Sequence, residues 1–261
     1  MSDASDVAAV LGAARRWVDR SLREQRGLFS DARIWTAEVL ADLHRRFVGQ
    51  YDIGGATFDQ KWGAQLAGAA DPTLQLAGEL LYVHVLFPAD LAPATKRHLV
   101  QGTLSWARRP VAVPPDLDAV LDIGVDASGI AYKARRQAQL RLLLEASMDL
   151  RTRAHDREAL LADPWACRDW LAALPHDGAQ SQRSVLLWLL HPGTFEPVVA
   201  PRAKRRIVLA FSEHVTSDLD DDDRALAQIR SALEPLYGAG FRFTDPPLLG
   251  RWRLPGRRGQ H

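Results

Sequence analysis

The sequence predicts an all-α protein, an irregular bundle of about ten helices followed by a loose basic tail. Three observations carry this. Apolar residues recur at three- and four-residue spacing along most of the chain, helix-start signals precede those runs, and the period-two alternation of half-buried strands is almost absent.

The predicted helices run 6–26, 36–48, 57–69, 72–87, 93–108, 130–151, 156–174, 180–190, 201–215 and 222–237. The first is the clearest amphipath. Val7, Val10, Leu11, Ala14, Trp17, Val18 and Leu22 share one arc, and Arg16, Arg20 and Arg23 lie opposite, where they face solvent or a partner. Thr57 and Gln60 form a capping box, and Asp71–Pro72 and Asp163–Pro164 each place an N-cap before a proline. The apolar run from Leu74 to Phe87 carries Gln75, Glu79 and His84 and is too short to span a bilayer, so it reads as a buried helix. The prolines of 110–115 cannot continue a helix and mark a candidate hinge. Leu140, Leu142, Leu143 and Leu144 point several ways around one helix, which predicts neighbours on more than one side. The aspartates between 218 and 223 precede a helix, where negative charge suits the dipole. Residues 1–250 read as one helical module and 251–261 as a flexible tail or linker.

Composition narrows the function. A chain of 261 residues that is 47% hydrophobic and 25% charged is ordinary globular material, and a net charge of +1 confines any nucleic-acid site to a local patch. The 29 arginines against four lysines fit a coding bias as well as phosphate recognition. The lone Cys167 has no disulfide partner and no Cys pair exists for zinc, while the amino terminus lacks the basic and apolar regions of a secretory signal; both fit the cytoplasm.

No phosphate loop, dinucleotide-binding turn, nucleophile elbow or His-Glu-x-x-His pair occurs. Asp52 with Asp59, Gln60 and Lys61 imitates a nuclease motif, but that chemistry needs strands and this segment starts a helix. The histidines are scattered, so neither a metal nor a cofactor is expected. His84 near Glu79 is either a satisfied core imidazole or, if both share a polar pocket, an acid–base pair. His191 at a helix end suits dipole capping, and Cys167 suits an apolar interior. Trp17, Trp106 and Trp188 fall in helical apolar patterns and read as core; Trp35, Trp62, Trp165 and Trp252 lie nearer helix ends, where an aromatic pocket for a base is conceivable.

One feature resists a purely structural reading. Arg202, Lys204, Arg205 and Arg206 crowd the first turns of a helix, where the macrodipole disfavours cations by about 0.3–1 kcal/mol each. Either they contact phosphate together with free helix amides, or they form a solvated face neutralised by acids such as Glu196 or Glu213.

The segment Leu186–Phe211, LLWLLHPGTFEPVVAPRAKRRIVLAF, resembles the helical region that precedes the motor in McrB-like AAA+ ATPases of bacterial restriction and phage defence. Trp35–Phe47, Glu79–Pro88 and Gly129–Tyr132 are similar to the same region, and Phe241–Leu248 to the junction leading into the motor, so the likeness covers about 35–250. His191, Pro192, Phe195 and Lys204 are the motif residues carried, none with a catalytic role. The resemblance implies an amino-terminal module that recognises a target or docks a motor and a nuclease, and the chain itself ends before any motor begins. The resulting expectation is a non-enzymatic DNA-recognition module whose phosphate contacts are Arg202, Lys204, Arg205 and Arg206, joined by Arg16, Arg20 and Arg23. The alternative is a protein-docking adaptor that senses a phage component without touching DNA.

Overall fold

A computed structural model describes residues 4–49, 54–153, 155–175 and 177–253, and among these the chain is all-helical with no β-strand. The helices are α1 Ala4–Trp17, α2 Ala37–Phe47, α3 Phe58–Leu66, α4 Asp71–Val85, α5 Pro93–Leu104, α6 Pro115–Val120, α7 Ile130–Ala134, α8 Arg136–Thr152, α9 Arg157–Ala162, α10 Pro164–Ala173, α11 Gln180–Leu190, α12 Pro201–Ala210, α13 Asp222–Tyr237 and α14 Leu248–Trp252.

Every predicted helix is present, and the differences have local causes. The first continues past α1 as a widened turn, Val18–Arg23, and stops where Gln25 takes a φ of 63° in the left-handed region. The predicted 156–174 helix is two, because Pro164 has no N–H to extend α9, while the Asp163 carboxylate accepts from the Trp165 and Ala166 amides and starts α10. The Thr57–Gln60 capping box forms as read. Asp71 does not cap α4; its carboxylate accepts from the Arg108 and Arg109 amides at 2.9 and 3.1 Å and ties the α5 exit to the α4 start.

The centre of the molecule is α4, buried at every residue from Thr73 to Val85 and packed between α2, α5 and α8. A methyl group on Gly78 would meet Leu104 Cδ2 at 2.7 Å, so the glycine is what lets α5 come this close. Helix α8 packs on α2, α4 and α11, and its four leucines are all buried, as their spread around the helix requires. Each such side chain contributes about 1.5–3 kcal/mol of burial.

The apolar interior forms two clusters that meet near Val198 and Val199. The larger includes residues on both sides of the predicted hinge, and Val111 and Val113 pack against it. The smaller is built by α12, α13 and α14 around Phe211, Phe241 and Phe243. Polar contacts join the two: Arg168 pairs with Asp221, Arg230 with Glu196, and Arg242 donates to the Val125 carbonyl at 2.7 Å and to Asp126 at 3.1 Å. Arg251 and Trp252, which the sequence reading gave to the tail, contact the fold: Trp252 Nε1 donates to the Phe243 carbonyl and Arg251 pairs with Glu213. Residues 254–261 lie outside the described residues. No helix among the described residues is long and apolar enough to cross a membrane.

Candidate nucleic-acid interface

Helix α12 places its four cations on two faces. Lys204 faces inward and is only 5% exposed, with Nζ 2.6 Å from Asp223 Oδ1. Arg205 donates to the Leu219 carbonyl at 2.6 Å and to Asp222 at 3.4 Å. The basic start of α12 therefore lies against the acidic start of α13. The aspartate run also serves its own helix, since Asp221 Oδ1 caps α13 by accepting from the Asp223 and Arg224 amides. Burial works to raise the Asp221 pKa, yet Arg168 and those amides outweigh it and hold the carboxyl below its ordinary range. Glu196 and Glu213, the expected neutralising acids, are engaged elsewhere, with Arg230 and Arg251.

Arg202 and Arg206 are the remainder. They sit one turn apart on the outer face, are exposed, and meet no carboxylate among the described residues. Leu209, 57% exposed, continues their row. The phosphate contact expected of four side chains is thus available to two.

The arginine stripe of α1 and the widened turn after it is taken up within the protein. Arg16 pairs with Asp116 at 2.8 Å. Arg20 reaches Asp31 at 2.6 Å and donates to the Gly27 and Ser30 carbonyls, holding the loop after the first helix. Arg23 bridges Asp19 and Glu158, two carboxylates that raise its pKa. These three arginines join elements of the fold to one another.

The candidate acid–base pair does not assemble. His84 and Glu79 face different partners on α4, and each is satisfied in the interior. His84 Nδ1 lies 2.9 Å from Gln182 Oε1, its ring stacks on Tyr132 at 4.7 Å, and the Tyr132 hydroxyl donates its one hydrogen to Gln182 Oε1 at 2.7 Å, with the His84 carbonyl 2.8 Å away. Burial pushes the imidazole pKa down to about 3, which keeps the ring neutral. The Glu79 carboxylate accepts from the Leu28 and Phe29 amides at 2.8 and 3.0 Å, from Trp35 Nε1 at 2.6 Å and from Gln75 at 2.8 Å. Burial raises its pKa and the four donors oppose that rise.

His191 follows α11 as expected, but burial lowers its pKa, so a neutral ring packed on Phe195 replaces the expected dipole-capping cation. Cys167 is buried and its thiol is pushed up to about 12, first by burial and then by Asp163. In the nuclease-like motif, Asp59 and Lys61 lie on helix α3, and Asp52 lies outside the described residues. Trp17 and Trp188 are core as predicted. Trp106 is not; it falls beyond the end of α5 and is 44% exposed. Trp35 and Trp62 are fully enclosed, and Trp165 is flanked by Arg168, Arg224 and Phe195. Trp252 packs on the smaller cluster.

No protein-family model, curated protein or solved structure matches the chain. The McrB-like resemblance stands on the sequence segments quoted above alone.

Proposed function

We propose that the chain is a non-catalytic recognition module that binds DNA through backbone phosphates and serves a McrB-like restriction or antiphage system in the cytoplasm, alongside the AAA+ motor and nuclease of that system. The observation that carries the DNA reading is the Arg202–Arg206 row. Both side chains are exposed, unpaired by carboxylates among the described residues, and mounted on a helix that the Lys204–Asp223 pair pins in place. Exposed cations on a fixed helix suit phosphate contact, because bound counterions are released when they dock. Two contacts correspond to a log–log salt slope of about −1.8.

The test is fluorescence anisotropy of a labelled duplex over a salt series, with Arg202→Glu/Arg206→Glu as the comparison. Salt-dependent binding that the double variant loses supports the reading. Absence of binding at low salt, or equal binding by the variant, overturns it in favour of the adaptor. That second reading has an observation of its own, the exposure of Leu209, Leu219, Leu236 and Tyr237 on and around the C-terminal helices at 57, 42, 72 and 43%.

A further inference from the structure

A wide concavity lies far from α12 in sequence. A groove of about 1190 Å³ runs between α2, the α3–α4 connection and the α5 exit. Its volume exceeds the roughly 300–1,000 Å³ of a small-molecule pocket. Trp106 forms part of its wall. A methyl group on Gly63 would sit in ordinary van der Waals contact with Trp106 Cη2 at 3.6 Å, so the outer edge of the indole lies beside Gly63 with room for a Cβ between them, and 44% of the residue stays exposed.

The charges around this ring divide into fixed and available ones. Asp42 is fully engaged, accepting from Arg46, Arg45 and Thr73 at 3.1, 2.8 and 2.8 Å. Arg46 also donates to the Ala67 carbonyl and closes the connection behind it. Asp71 is committed to the Arg108 and Arg109 amides, which fixes the backbone just beyond Trp106. The guanidinium groups of Arg108 and Arg109 meet no carboxylate among the described residues, and Arg45 keeps 70% of its side chain in solvent. Glu38, on the α2 wall, and Asp71, held by backbone amides, are the negative charges that oppose Arg108 and Arg109.

A half-exposed indole in the groove wall, with two arginines that no carboxylate pairs among the described residues a few positions along the same wall, has the chemistry of single-stranded nucleic-acid binding. Aromatic faces stack unpaired bases of any sequence, and arginines hold the phosphates between them. A duplex keeps its base faces covered and gives Trp106 nothing to stack on. We infer that this groove binds single-stranded nucleic acid, with one base on Trp106 and its phosphates on Arg108 and Arg109. The inference rests on reading the chain as a nucleic-acid-binding module.

The test is anisotropy of a labelled dT15 oligonucleotide at low salt, beside a duplex of the same length. Trp106→Ala is expected to weaken dT15 binding by roughly 5- to 150-fold, as stacking of one base is worth about 1–3 kcal/mol. Trp106→Phe, which keeps a ring, should stay within about threefold of the parent. Arg108→Ala/Arg109→Ala should weaken dT15 binding and flatten its salt dependence, with an unchanged thermal melt showing that the variant is folded. Equal dT15 affinity in the parent and Trp106→Ala overturns the inference. If Arg202→Glu/Arg206→Glu still abolishes duplex binding in that case, the proposed duplex site stands without the groove; no binding of either probe at low salt overturns both.

Discussion

Lys204 Nζ lies 2.6 Å from Asp223 Oδ1, and the two residues are buried together, 5% and 9% exposed, between the first turns of α12 and α13. A charge in that position is compensated by one partner, and removing either leaves the other in a low-dielectric site.

The pair therefore predicts asymmetric mutational costs. Lys204→Ala or Asp223→Ala should each destabilise the protein by about 3–5 kcal/mol, while Lys204→Met with Asp223→Leu should come within about 1 kcal/mol of the parent. Urea unfolding of the four proteins checks this. A Lys204→Ala protein that unfolds with the parent would show that the pair contributes nothing. The same argument disqualifies Lys204 variants as tests of DNA contact, because lost binding would report lost structure.

Glu79 predicts a second large effect. Its carboxylate receives four donors, and an amide in its place presents two hydrogens to groups that are themselves donors. At least two buried donors then lose their partner, so Glu79→Gln should cost about 2 kcal/mol or more. Thermal melting measures it. A variant that melts with the parent would mean that the parent carboxyl is protonated, the outcome toward which burial pushes.

These two sites show what sequence reading reaches. Helix starts were legible because Thr57 with Gln60, and Asp163 with Pro164, act within one turn of chain. The burial of α4 was legible from its unbroken apolar run, although Glu79 and His84 needed the folded structure to show their partners. The fate of the arginines was hidden. Arg16 finds Asp116 a hundred residues away, and Arg23 finds Glu158 at a separation of 135, and no periodicity encodes either pairing. Trp106 misled for a related reason. Its spacing continues the α5 pattern, but the helix ends at Leu104, and beyond the last turn the helical phase no longer says which side is inside.

His84 predicts acid sensitivity with a definite sign. Its folded pKa, about 3, lies below the unfolded value near 6.5. Between those values the unfolded chain binds the extra proton, so stability falls as pH drops through this window and is unaffected above it. His84→Phe can still stack on Tyr132 and leaves the Tyr132–Gln182 hydrogen bond in place. The stability difference, parent minus variant, should therefore shrink from pH 7 to pH 4 by at most about 1.4 kcal/mol per unit. A difference that stays constant over that range would refute a buried neutral imidazole.

Lys96 predicts the complementary behaviour in base. The residue is 1% exposed, and its ammonium donates to the Ile123 carbonyl. Burial lowers its pKa to about 8, against the opposing pull of Asp122 and Asp90. The unfolded value is near 10.4, so from pH 8 upward the unfolded chain holds a proton that the folded chain has released. Lys96 thus weakens the fold at neutral pH, and that penalty is relieved as pH rises through this window. Cys167 acts with the opposite sign, since its thiol is held protonated up to about 12 in the fold and ionises near 8.5 when unfolded. A bare pH profile therefore mixes the two, but a comparison with Lys96→Met cancels the cysteine because both proteins carry it. Measured by urea unfolding, the parent should gain on Lys96→Met between pH 8 and pH 9.5, at a slope no steeper than about 1.4 kcal/mol per unit. A flat difference would place the Lys96 ammonium in contact with solvent and remove burial as the force acting on it.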